Sequence, residues 1–92
     1  MITSTLRVRI ISPQQLILDT DALSISSKNL QGNFDILPMH ANFITVVENE
    51  PIIVRVAKQK PLTFKFKVAI IYTTNNQVQI YTNIESSENL IS

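Results

Sequence analysis

His40 is the only histidine in the 92-residue chain, and imidazole is the side chain best suited to moving protons near neutral pH. Such a base needs company, either a nucleophile to activate or a carboxylate to orient the ring. Asp35 is near in sequence, but nothing else converges on the pair. The expectation is therefore a structural or interface histidine whose ring bonds a nearby backbone group. Asp19 and Asp21 form the other candidate pair; their position after Leu16-Ile17-Leu18 places them at a strand–turn–strand boundary, where aspartate is common and solvated. There is no cysteine, so a metal would find one histidine and scattered oxygens. One glycine cannot make a Gly-rich phosphate loop. The chain is thus expected to carry no catalytic, metal-binding or cofactor-binding residue, and not to be an enzyme.

Phe64-Lys65-Phe66-Lys67 interleaves aromatic and basic residues, the composition of a platform for single-stranded nucleic acid. Strand alternation, however, sends both phenylalanines to one face and both lysines to the other. Residues 55–67 hold Arg55, Lys58, Lys60, Lys65 and Lys67 with no acid, which reads first as a solvated hairpin. The alternative function comes from here: a stand-alone β-sandwich or barrel binding peptide or oligonucleotide along this basic edge. What remains is apolar. Phe34, Ile36, Leu37, Met39 and Phe43 surround Pro38 in a segment that also holds Gly32 and His40. So much apolar area either plugs the core from a strand edge or awaits a partner.

The elements that must position these residues are strands. Leu6, Val8 and Ile10 alternate with Arg7 and Arg9, and Leu23 and Ile25 with Ser24 and Ser26. Phe43–Val47, Ile52–Val56, Leu62–Lys67, Val68–Tyr72 and Val78–Tyr81 continue the series. Ser12-Pro13-Gln14-Gln15, Asn49-Glu50-Pro51, Gln59-Lys60-Pro61 and Asn75-Asn76 mark turns, the last the strongest hairpin signal because asparagine tolerates positive φ. No segment shows an apolar stripe at helical spacing. About eight or nine short strands with frequent turns define an all-β sandwich or barrel. Ninety-two residues, 45% of them apolar, make one domain with one modest core. A net charge of +1 gives no general attraction to nucleic acid or acidic membrane. The charged N-terminal alternation breaks any signal-peptide run, and no window approaches the roughly 18 apolar residues of a spanning helix. The sequence therefore reads as soluble, reaching a membrane only by docking on something that spans it.

With these residues in view, Gly32-x-Phe34-x-Ile36-Leu37-Pro38-x-His40-Ala41 resembles the central signature of the epsilon subunit of F-type rotary ATP synthases, called delta in mitochondria. Leu6, Val8, Ser12, Pro13, Leu16 and Leu18, the Leu23-x-Ile25 strand, Thr45 and the Val78-x-Ile80 strand extend the likeness over most of the chain. The resemblance implies a flattened sandwich of about eight to ten short, mostly antiparallel strands, here residues 1–84, followed by a short tail, 85–92. It implies a non-catalytic rotor subunit that binds the foot of the gamma stalk and the polar loops of the c-ring. By position, Gln31, Gly32, Asn33 and Phe34 would face the c-ring, and Ser12, His40, Ala41, Asn42 and Thr45 the gamma subunit, with Met39 a further contact. No cofactor, bound nucleotide or nucleic acid is implied. The location implied is peripheral, on the cytoplasmic face of a bacterial inner membrane or the matrix or stromal face of an organelle. Family members carry glycine where Asp35 and Met39 stand, so the backbone there is expected to be strained or altered. They also continue into a helical hairpin that brakes hydrolysis; the 92-residue sequence ends before it, and neither braking nor nucleotide binding is expected.

Overall fold

The computed structural model describes residues 5–82; the expected tail at 85–92 lies outside them. Within that span the chain forms nine strands and no helix: β1 (Leu6–Ile11), β2 (Leu16–Ala22), β3 (Ser24–Asn29), β4 (Gly32–Ile36), β5 (Phe43–Val47), β6 (Pro51–Arg55), β7 (Leu62–Lys65), β8 (Ala69–Thr74) and β9 (Gln77–Thr82). They make a five-stranded sheet in the order β2-β1-β9-β8-β5 and a four-stranded sheet in the order β4-β3-β6-β7. Two separate sheets settle sandwich over barrel. Every pairing is antiparallel except β1 with β9.

The core is the sum of the inward halves of these alternations. Leu6, Val8 and Ile10 on β1, Ile71 on β8, and Val78 and Ile80 on β9 meet Ile25, Ile36, Ile52 and Val54 from the other sheet, all fully buried. Each large aliphatic residue so buried contributes roughly 1.5–3 kcal/mol against exposure; truncating Ile71 or Ile80 to alanine would cost about 2–5 kcal/mol.

Two local expectations change. Asp19 and Asp21 are not in a turn: β2 runs through them to Ala22, because Arg7 and Arg9 stand opposite on β1. Arg7 Nε donates to Asp19 at 2.8 Å and Arg7 Nη1 to Asp21 at 3.2 Å. Exposed pairs of this kind add little stability, but a one-residue slip would separate the charges, so they pin the register. Leu23 does not alternate with Ile25 on one face. It occupies the bend where the chain leaves the five-stranded sheet for the other, donating its N–H to Arg55 O at 2.7 Å.

Turns make do with little glycine. Asn75 and Asn76 take φ 50° and 61° in the two-residue β8–β9 hairpin, as a type I′ turn requires. Asn49 (φ 56°) and Lys58 (φ 64°) turn the same way. The single glycine, Gly32, holds φ 123° at the foot of the β3–β4 hairpin; a Cβ there would meet no atom within 4 Å, so the demand is conformational, not spatial.

Candidate functional site

The segment after β4 folds as one tight turn. His40 donates its N–H to Leu37 O at 3.1 Å across Pro38 and Met39, and Met39 carries φ 69°. Proline second and positive φ third define a type II turn. Glycine is the ordinary third residue; a side chain there strains the backbone by about 1–2 kcal/mol. The glycine-like conformation is thus kept at Met39, whereas Asp35 sits in regular β4 with no positive φ. Asn76 holds the turn in place. Its Oδ1 accepts the Met39 N–H at 2.6 Å, its Nδ2 lies 3.6 Å from Met39 Sδ, and its carbonyl accepts the Arg7 N–H at 2.8 Å. One residue therefore ties the β4–β5 turn, the β8–β9 hairpin and the start of β1 into a single corner.

No catalytic group assembles there. His40 Nδ1 bonds the Ala41 carbonyl at 2.8 Å and its ring meets Phe43 edge-on at 5.5 Å. Asp35 points the other way, accepting a hydrogen bond from Ser26, whose oxygen in turn accepts one from Arg55 Nη1 at 2.6 Å. No group of three metal-ligating side chains occurs among the described residues. Arg7's pKa is raised, chiefly by its hydrogen bond to Asp19 and then by that to Asp21, which keeps an already permanent charge in place.

The residues singled out in the sequence do not form one cluster. Gln31 and Gly32 lie at the β3–β4 hairpin, where Gln31 N–H bonds Asn29 Oδ1 at 2.8 Å. Asn33 follows on the outer side of β4, paired with Lys28. Phe34 turns inward against Phe43, ring centroids 5.4 Å apart, and both pack on the core. Met39 is 78% exposed, His40 half-buried, and Ala41 and Asn42 exposed at the corner. Thr45 Oγ1 accepts from Asn29 Nδ2 at 2.9 Å. Ser12 is buried and closes its own turn, its oxygen accepting the N–H groups of Gln14 and Gln15. It follows the Ile11 end of β1, whereas Met39 is tied to the Arg7 end, about 17 Å away at 3.3 Å per strand residue. Gln31 and Met39 are likewise at opposite ends of β4.

The feature that sequence reading missed is the outer face of the five-stranded sheet. The registers align Leu16, Ile11, Tyr81, Ile70 and Val46 in one continuous cross-strand row, one residue from each strand. A register shift between Ile10 and Ile11 is what brings Leu16 into it. The next row reads Asp19, Arg9, Gln79, Tyr72 and Ile44, and the next Asp21, Arg7, Gln77 and Thr74. Polarity therefore rises along the strands from wholly apolar to wholly polar. Leu16 is 47% and Val46 48% exposed, Ile44 66%. At the band's end, Leu30, 97% exposed on the hairpin tip, faces Val46 across a shallow hollow that Lys28, Asn29, Glu48 and Glu50 complete. The only sequence signal was apolar residues at the nominally outward positions of β5 and β8, and without the pairing those cannot be seen to touch.

The basic strip has no counterpart of this kind. Phe64 and Phe66 stack on one another at 6.2 Å and pack against the core, while Lys65 and Lys67 are exposed on the opposite side. Aromatic and cationic groups are not presented together, so the oligonucleotide alternative loses its platform.

The described residues form a two-sheet β-sandwich whose five-stranded sheet has an amphipathic outer face. The family described as ATP synthase, Delta/Epsilon chain, beta-sandwich domain matches residues 5–85, and the chain belongs to it. The fold is also similar to a chain of the Euglena gracilis mitochondrial ATP synthase, solved by cryo-EM as OSCP/F1/c-ring in rotational state 1 (TM-score 0.80, 14% identity, 89% of this chain and 52% of that one). A chain of the Tetrahymena thermophila mitochondrial ATP synthase central stalk and c-ring is similar too (TM-score 0.71, 17% identity, 84% of this chain and 62% of that one). This chain therefore spans between half and two thirds of the length of those neighbours. Comparison with curated protein sequences finds no match.

Proposed function

We propose that the protein is a non-catalytic central-stalk subunit of an F-type rotary ATP synthase, joining the gamma subunit to the membrane c-ring. In this reading it sits at the membrane only through the complex, on the cytoplasmic face in a bacterium or the matrix or stromal face in an organelle. The observation that carries it is the apolar row Leu16–Ile11–Tyr81–Ile70–Val46. A contiguous apolar row, with Leu16, Tyr81 and Val46 exposed and Ile11 and Ile70 half-buried between them, marks an interaction site, and a fully paired sheet is a stiff plate on which to grip, since packed cores transmit strain with little yielding. Family membership supplies the partner: a stalk subunit that turns with the ring. The polar rows at the other end of the same face, with their Arg7 and Arg9 ion pairs, form the rim that orients it.

The β3–β4 hairpin, with Leu30, Gln31 and Gly32 at its tip, is the contact assigned to the c-ring, and the Met39 corner together with the apolar row is assigned to gamma. Capture of purified gamma by the immobilised chain tests the reading. Ile70→Asp and Tyr81→Asp each place a charge within the row, on the solvent side of the sheet. Both are expected to abolish capture while circular dichroism stays unchanged. Undiminished capture by the two variants would refute the assignment of this face.

A further inference from the structure

Four strands end the two sheets: β2 and β5 in one, β4 and β7 in the other. An edge strand offers unpaired N–H and C=O groups to any passing chain, and proteins blunt such edges with charge, proline, bulges or glycine-bent ends. Three of these edges are blunted. β2 carries Asp19, Asp21 and the register shift. β4 carries Asp35 and opens on Gly32, whose φ of 123° bends its start. β7 carries Lys65 and follows Pro61. β5 alone carries none of these devices among its own residues, although Asn29 of β3 bonds the Thr45 side chain and Lys28, Glu48 and Glu50 line the hollow beside Val46. It reads Phe-Ile-Thr-Val-Val, with no charge and no proline, and its register against β8 is unbroken from Phe43↔Thr73 to Val47↔Ala69. Among the described residues, no backbone hydrogen bond outside the β5–β8 ladder falls on Phe43–Val47.

Both ends of this free edge open into hollows. At the Val46 end is the one shared with Leu30; at the Phe43 end is a notch lined by Met39, His40, Asn42, Asn75 and Asn76. Asn76 spends its carboxamide on Met39, but those of Asn42 and Asn75 in the same notch each carry a donor and an acceptor, which suits the hydrogen-bonding pattern of a peptide backbone. We propose that β5 is a strand acceptor: an extended, uncharged segment of a partner chain adds to its outer edge as the sixth strand of the sheet. Main-chain bonds hold the donor, and alternate apolar side chains continue the outward Ile44 and Val46 on one face while the others lie beside Phe34 and Phe43. Val46 belongs at once to the apolar row and to the free edge, so one partner covers both. The inference rests on the rotor reading for the identity of that partner, which is gamma.

Amide hydrogen exchange of the chain, alone and bound to purified gamma, tests it. Edge-facing amides of residues 43–47 are expected to exchange freely in the isolated chain and at least about 100-fold more slowly in the complex, at alternate positions. Val46→Lys, at an exposed site that tolerates a lysine, supplies the missing edge charge and is expected to remove that protection. Binding of gamma with the 43–47 amides unchanged would overturn strand addition and leave the rotor reading standing. Protection already present in the isolated chain, together with dimer formation, would make a second copy the donor and overturn the proposal. Absence of gamma binding altogether would remove the rotor reading and the assigned donor together.

Discussion

Thr73 lies on β8 with its side chain sealed in the core: its exposure is 0%, and its Oγ1 is the buried side-chain oxygen without a hydrogen-bond partner among the described residues. Its ladder neighbours are Phe43 on β5 and Val78 on β9, which offer it carbon. A buried hydroxyl with no partner costs roughly 1–3 kcal/mol. Valine has nearly the same shape and replaces that hydroxyl by a methyl, which gains up to about 0.8 kcal/mol on burial. Thr73→Val is therefore expected to stabilise the domain by about 1–3 kcal/mol. For a domain of this size each kcal/mol moves Tm by about 4–8 °C, so the melting temperature rises by at least about 4 °C. Urea unfolding should show a higher midpoint with an unchanged slope, since the surface exposed on unfolding hardly differs. Thr73→Ser keeps the orphan hydroxyl and deletes a methyl, and should lose about 1 kcal/mol. A neutral or destabilising valine would refute the reasoning, for it would mean that the hydroxyl is satisfied, for example by a buried water.

Other expectations follow from the corner. Met39→Val puts a β-branched side chain at φ 69° and should cost at least about 1 kcal/mol in urea unfolding, whereas Met39→Gly should be neutral or slightly stabilising. Asn76→Ala loses both the tolerance of φ 61° and the grip on Met39, and should cost about 2 kcal/mol by the same measure; Asn76→Gly keeps the turn and should cost about half. Phe34→Asp places a charge against Phe43 and the core, and is expected to unfold the chain by circular dichroism. Met39→Asp, on a side chain 78% exposed, should fold normally and weaken gamma capture. The opposite pattern for this last pair would reverse the assignment of inner and outer faces of the segment.

Fold class was legible because strand periodicity is local: Leu6, Val8 and Ile10 alternate with Arg7 and Arg9 whatever lies opposite, and all three are buried. Turn chemistry is local too, so Asn75-Asn76 declared its hairpin. The motif from Gly32 to Ala41 marked the family by resemblance, and the family was borne out. Tertiary structure alone decided what touches what. Asp19 and Asp21 extend a strand because Arg7 and Arg9 stand across from them, a fact that no window of either strand contains. Phe34 and Met39, five residues apart, part company because one meets Phe43 across the sandwich and the other rides a type II turn into solvent. The apolar row draws its members from positions 11, 16, 46, 70 and 81. Register is set by turns, a bulge and burial together, so a surface assembled across five strands comes into being only when the sheet closes.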